Sequence, residues 1–301
     1  MKSTGAISPV FHWICGRFSI DLTRPHVMGI VNVTPDSFSD GGQHGSTAAA
    51  LVHCEALLKA GADMLDIGGE SSRPGAPPLP LAQELARVLP VVREAVKLNV
   101  PVSVDTYKAD VMRAVLDAGA DIINDIWALR QAGALKVLAS HPNCGICLMH
   151  MHGEPQTMQL APLNEIPGQS VADQVLFFLK QRTHTLLAES IDKARISWDV
   201  GIGFGKTVAQ NFELLAEQQQ LAQAGYPLWA AWSRKSSLGV VTGLPVDQRI
   251  VPSVAAALLA VDRGARIVRV HDVAQTVEAL KIWQAMTNHT VIANELNRNR
   301  A

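Results

Sequence analysis

Carboxylates, amides and cations stand directly after a series of short apolar runs in this chain. Asn32 follows VMGIV, Gly68, Gly69 and Glu70 follow MLDI, and Asp105 follows VPVSV. Asn124 and Asp125 come after DII, Met149 and His150 after GICL, Asp199 after RISW, Ser233 with Arg234 and Lys235 after PLWAAW, and Arg269 with His271 fall in RIVRVHD. One strand-end aspartate is most simply a helix cap or a structural acceptor, and Asp125 and Glu70 are expected to anchor loops. Convergence of the whole set at one end of a fold is different, because buried polar groups without partners are costly. The cations suggest phosphate or pyrophosphate. SSRPG at 71–75 presents Arg73, SRKS at 233–236 adds Arg234 and Lys235, and Arg269 and His271 share one side of a strand. DVGIGFGKT at 199–207 could cradle an anion through backbone N–H groups, but the ATP-binding Walker register needs glycine where Val200 stands.

These residues need elements to bring them together. AGADMLDIGGE from Ala60, AGADIINDI from Ala118 and RGARIVRVHD from Arg263 repeat one plan, a small pair followed by an apolar strand that closes on polar groups. Between such strands, TAAALVHCEALLKA at 47–60 and KADVMRAVLDAG at 108–119 carry apolar residues three and four apart, the helical period. Strands are predicted at 27–33, 64–69, 100–105, 121–126, 145–150, 195–201, 227–233 and 266–272, with helices at about 51–59, 81–97, 108–118, 133–140, 171–190, 211–223, 251–263 and 273–287. Eight βα units predict an α/β chain closed into a (β/α)8 TIM barrel rather than an open doubly wound sheet, with the site at the C-terminal face. FHWICGRFSIDL lies outside the series and predicts a short N-terminal hairpin extension over one barrel end. The division expected is therefore residues 1–26 as hairpin extension, 27–290 as barrel and 291–301 as a polar C-terminal tail.

The chain has 301 residues, 48% of them hydrophobic, and a formal charge of -1 from 26 basic and 27 acidic side chains. That balance argues against nucleic acid as partner, since duplex binding depends on neutralised phosphates. No signal segment and no apolar run of spanning length stands out, so no membrane association is expected and the cytoplasm is the default compartment. Cys15, Cys54, Cys144 and Cys147 read as buried thiols, Cys144 and Cys147 on opposite faces of a strand.

From about residue 26 to about 285 the chain resembles the bacterial dihydropteroate synthase family of pterin-binding barrels, through GIVNVTPDSFSDGG, DIGGESSRPGA, SVDTYK, INDI, CLMHMHG, GFGKT, SRKS and RVHDV in family order. The resemblance implies an enzyme of folate biosynthesis that condenses 6-hydroxymethyl-7,8-dihydropterin diphosphate with 4-aminobenzoate, works as a homodimer with magnesium and is a sulfonamide target. It gives Asp105, Asn124, Asp199 and Lys235 to the pterin ring, with Met149 beside it and Arg269 stacked over it and reaching the diphosphate. It gives Asn32, Arg73 and His271 to the diphosphate, with magnesium at Asn32, and Ser72, Pro74, Phe204 and Ser236 to the aminobenzoate. Asp36, Ser37 and Phe38 lie in the first of two mobile loops, 34–42 and 71–76, and serve closure. Asp105, Lys235, Arg269 and Arg73 are the residues expected to carry the chemistry, and pterin is expected to bind first.

Ser72, Val200, Ala231 and Trp232 depart from the family's commoner threonine, proline, glycine and methionine, and none removes a polar catalytic group. A pterin-dependent methyltransferase would share the Asp and Asn contacts but has no use for TPDSFSDGG or SSRPG. A non-catalytic barrel would be expected to lose Asn32, Asp36, Arg73 or His271, all present here. No room is expected for the fused pterin kinase that some members carry.

Overall fold

The computed structural model describes residues 12–33, 42–71, 73 and 75–287, the side chains of 42–46 excepted. Asp36, Ser37, Phe38, Ser72 and Pro74 lie outside the described residues. Strands β1 (His12–Cys15) and β2 (Phe18–Asp21) form an antiparallel hairpin. Eight further strands follow: β3 (His26–Asn32), β4 (Met64–Gly68), β5 (Val102–Asp105), β6 (Ile122–Asp125), β7 (Gly145–Met149), β8 (Ile196–Asp199), β9 (Leu228–Ala230) and β10 (Ala265–Val270). All pair in parallel and close in the order β10-β3-β4-β5-β6-β7-β8-β9. The chain is a (β/α)8 barrel with an N-terminal hairpin.

The helices are α1 (Gly42–Lys59), α2 (Leu81–Ala95), α3 (Ala109–Asp117), α4 (Ala134–Ser140), α5 (Val171–Ala188), α6 (Val208–Ala216), α7 (Gln218–Ala222), α8 (Ser236–Thr242), α9 (Ile250–Asp262) and α10 (Val273–Thr287). The helix predicted at 211–223 is two, α6 and α7, and α6 starts early because Thr207 and Gln210 form a reciprocal capping box. The short α8 was not predicted. Its SSLGVVT carries a glycine and two β-branched valines, which hide a helical signal.

Strand alternation sorts the core into two faces. Val27, Leu65, Ile67, Val104, Ile123, Ile146, Trp198 and Val268 point outward into the belt beneath the helices. Met28, Met64, Ile122, Cys147, Trp229 and Ile267 point inward and meet Trp13, Cys15, Ile20 and Leu22 of the hairpin, which plugs the N-terminal end. Trp13 sets its ring edge-on to Trp229 at 5.9 Å between centroids and donates Nε1–H to the Arg195 carbonyl at 2.9 Å. Arg17 fixes the hairpin to Asp121 at 2.8 Å, and the turn between them needs glycine at Gly16, where φ is +60° and a Cβ would fall 2.3 Å from Asp121 Oδ1. Cys147 lies in the plug and Cys144 in the outer belt, so the two are on opposite faces. All four thiols are unpaired and buried, and burial pushes Cys144 up to about 12, which leaves it inert.

Candidate active site

Two residues beyond three of the plug residues, on the same inward face, the barrel turns polar, and beyond Cys147 it presents Met149. Asp66 follows Met64, Asn124 follows Ile122 and Arg269 follows Ile267. Register adds Asp105, paired with Asn124 on one side and with Gly68 on the other, while Gly68 pairs with Asn32. Arg269 reaches past β3 and ties the set together. Its Nε–H donates to Asp66 Oδ2 at 2.5 Å and its Nη2–H to Asp105 Oδ2 at 3.0 Å. Asn124 donates to the same Asp66 oxygen at 3.2 Å, while Asp66 Oδ1 is buried without a partner.

Asp66 was absent from the residues expected from the sequence, which were sought at strand ends. The signal was available one turn of the pleat earlier: a charged side chain inside MLDIG, on the face shared by Met64 and Gly68.

The opposite wall is built from β7, β8 and the segment after β9. Asp199 accepts the Gly201 N–H at 2.7 Å, and Lys235 holds its ammonium 4.4 Å above the Phe204 ring. Phe204 packs with Ile126, Met149, Met151 and Met158 in an apolar surface facing the carboxylates. Burial dominates the electrostatics. It pushes Asp105 up to about 7 despite the Arg269 cation, and raises Asp199 despite the Gly201 N–H and Lys235. Burial likewise draws Lys235 down to about 8, against the pull of Asp199.

Two expectations about charge are corrected. Arg234 does not face the mouth: it turns to Asp272, donating from Nε at 3.1 Å and Nη2 at 2.6 Å, and its left-handed backbone (φ 59°) is held by Ser253 Oγ on its N–H. Lys235 is therefore the one cation that SRKS directs toward Phe204 and Asp199. His271 is not a cation in the ligand-free protein, because burial and then Arg269 and Arg234 lower it to about 3. Ser233 Oγ accepts the His271 backbone N–H at 3.1 Å and lies 2.9 Å from Nδ1; where the hydroxyl donates to Nδ1, the neutral ring carries its own proton on Nε2.

The glycine-rich 199–207 segment spends several of its N–H groups within the fold. Gly201 donates its N–H to Asp199, Gly203 to Asn211 Oδ1 and Phe204 to the Gly201 carbonyl. The glycines permit close packing, since a Cβ at Gly201 would lie 1.8 Å from the His150 carbonyl oxygen. Lys206 is buried under this loop, bonded to His150 Nδ1 at 2.8 Å and the Gly201 carbonyl at 2.9 Å, and burial lowers it to about 7.

Asp125 anchors a loop as expected, accepting the Trp127 and Leu129 N–H groups at 2.7 Å each. Asn32 stands exposed at the end of β3, Arg73 is exposed in the loop after β4, and Ser236 opens α8 next to Lys235. Val200 and Trp232 are buried, Trp232 against Phe212 at 5.3 Å, so these two departures lie in packing behind the wall.

Residues 28–271 match the family model described as pterin binding enzyme. A curated Haemophilus influenzae protein, dihydropteroate synthase, is 49% identical over 271 residues, which is 89% of this chain and 96% of that protein. The chain belongs to the dihydropteroate synthase family. A Burkholderia cenocepacia dihydropteroate synthase complexed with 7,8-dihydropteroate superposes with a TM-score of 0.84 at 49% identity, over 93% of this chain and 97% of that one. A Xanthomonas albilineans member of the family, solved with 4-aminobenzoic acid, gives 0.83 at 49% identity, over 90% and 96% of the two chains.

Proposed function

We propose that the chain joins 6-hydroxymethyl-7,8-dihydropterin diphosphate to 4-aminobenzoate, forming 7,8-dihydropteroate and releasing pyrophosphate, a transferase step of folate biosynthesis. The observation that carries this reading is the convergence of Asp66, Asp105, Asn124 and Arg269 opposite Asp199, Lys235 and a Met- and Phe-lined wall. A pterin is a flat heterocycle with N–H donors along one edge and acceptors along another. Carboxylates suit the first, Lys235 and the Asn124 amide the second, and Met149 with the Arg269 guanidinium suit its faces.

The diphosphate is assigned to Asn32, Arg73, Arg269 and His271, with the neutral His271 donating from Nε2. Aminobenzoate is assigned to Phe204, Ser236, Ser72 and Pro74. Among the described residues no group of three His, Cys, Asp or Glu side chains could hold a metal by itself. Asn32 offers a single amide oxygen, which fits magnesium that enters with its water and phosphate ligands. Bound there, the ion would neutralise charge building on the leaving diphosphate.

Arg73 and Arg269 share that task as the C–O bond breaks, while ionised Asp105 stabilises positive charge spread over the dihydropterin. The arylamine nitrogen then attacks the methylene carbon, and no enzyme nucleophile is needed. Loops 34–42 and 71–76, with Asp36, Ser37 and Phe38, exclude water from the cation. Residues 27–290 form the functional barrel in this reading and residues 1–26 a structural extension.

A homodimer is supported by an apolar face on α8, α9 and α10, where Val240, Val241, Val251, Leu259 and Ile282 are exposed. Four unpaired thiols fit a reducing cytoplasm, and no helix among the described residues is long and apolar enough to cross a membrane. The function is tested by incubating the purified protein with dihydropterin diphosphate and magnesium. Pyrophosphate release should require 4-aminobenzoate and yield dihydropteroate by mass; pterin binding without that product would reject the reading.

A further inference from the structure

One carboxylate holds the base of the loop that carries Arg73. Glu70 stands at its start, two residues beyond β4, and its Oε1 accepts the backbone N–H of Leu79, at its far end, at 3.1 Å. The same oxygen accepts the Tyr107 hydroxyl at 2.9 Å, and Lys108 Nζ bridges the other Glu70 oxygen to Glu84 Oε2. Glu84 in turn accepts the Thr106 hydroxyl at 2.6 Å. Thr106, Tyr107 and Lys108 are the three residues directly after Asp105.

The cluster therefore ties two things that the reaction needs in one frame, the substrate loop and the strand end that presents Asp105. Farther along the loop, Gly75 N–H donates to the Pro155 carbonyl at 3.1 Å. Between these attachments lies a cavity of about 180 Å³, bounded by Glu70, Ala76, Pro78, Asp105, Tyr107 and Pro155. Arg73 lies on the loop between these attachments, and its carbonyl accepts the Ala76 N–H at 3.1 Å in a local turn.

We propose that Glu70, braced by Lys108 and Tyr107, is a positioning residue that fixes the base of loop 71–79 so that Arg73 and its neighbours meet the diphosphate and the aminobenzoate in register with Asp105. It touches neither substrate. The proposal rests on the assignment of Arg73 to the diphosphate, and the experiment separates the two.

In Glu70→Ala, Lys108 keeps Glu84 as partner, so the barrel should fold. Hydrogen exchange in a peptide covering 71–79 should rise about tenfold or more, reflecting loss of bonds to a charged acceptor. The KM for 4-aminobenzoate should rise about tenfold, while the Kd for 6-hydroxymethylpterin, which lacks the diphosphate, stays within about twofold. Glu70→Gln keeps an acceptor for Leu79 and Tyr107 and should recover much of both changes. Unchanged exchange, or a pterin Kd that worsens in step with the aminobenzoate KM, would overturn the proposal. Normal turnover by Arg73→Ala would instead remove the role of Arg73, whatever Glu70 does to loop exchange.

Discussion

Arg269 on the last barrel strand donates its Nε–H to Oδ2 of Asp66 on the second at 2.5 Å, joining residues 203 apart in sequence. The same guanidinium reaches Asp105, so removing it leaves two carboxylates facing each other in a largely dry interior. The family resemblance suggests a residue whose loss stops the reaction and spares the fold; the bridge adds a structural duty. Arg269→Ala should lower stability by about 3–5 kcal/mol as well as abolish turnover. Arg269→Lys keeps a positive charge but not both bonds, and should recover stability more than activity. Thermal unfolding and steady-state rates on both variants check this.

The profile of kcat/KM for dihydropterin diphosphate against pH should be a narrow bell. Below about 7 Asp105 takes up a proton and loses the charge that the proposed mechanism sets against the pterin cation, so activity should fall as pH falls. Above about 8 Lys235 loses its proton, which should weaken the hydrogen bond proposed to the ring, so activity should fall as pH rises. Lys235→Arg should extend the alkaline side, because guanidinium stays charged. An unchanged alkaline limb in that variant would show that another group sets it.

Trp13→Ala empties the centre of the plug, where the indole is fully buried and bonded to the Arg195 carbonyl. The loss of stability should be about 3–5 kcal/mol. The folded fraction should keep its KM values, because the plug lies at the opposite end of the barrel from the site. A change in KM exceeding the change in folded fraction would mean that the plug also sets the site's geometry.

Much of this was legible in the sequence because strand alternation is strict. The small pairs that open AGADMLDIGG, AGADIINDI and RGARIVRVHD marked strand starts, and with them the level at which Asn124 and Arg269 would meet; Asp105 was marked by the end of its own apolar run, VPVSV. What sequence hid was orientation. Arg234 and Lys235 are neighbours of equal charge, yet a left-handed backbone at Arg234 sends one to Asp272 and the other into the mouth. His271 looks cationic beside an arginine until burial and that same arginine are seen to keep it neutral. Asp66 was passed over because it precedes the strand end, although the pleat points it at the same space.

Val251 and Ile282 are exposed on the α8–α10 face, and charge placed there should separate a dimer without touching the mouth. Val251→Glu with Ile282→Glu should sediment as a monomer where the native protein sediments as a dimer. Identical sedimentation would move the interface elsewhere.

The central claim is that the pterin ring seats against Asp66, Asp105 and Arg269. Calorimetric titration with 6-hydroxymethylpterin tests it most directly, comparing the native protein with Asp66→Asn and Asp105→Asn, each of which keeps side-chain volume and removes one charge. The native protein should bind one equivalent and each variant should bind at least about tenfold more weakly. Equal affinity in all three would place the ring away from the carboxylates and contradict the account.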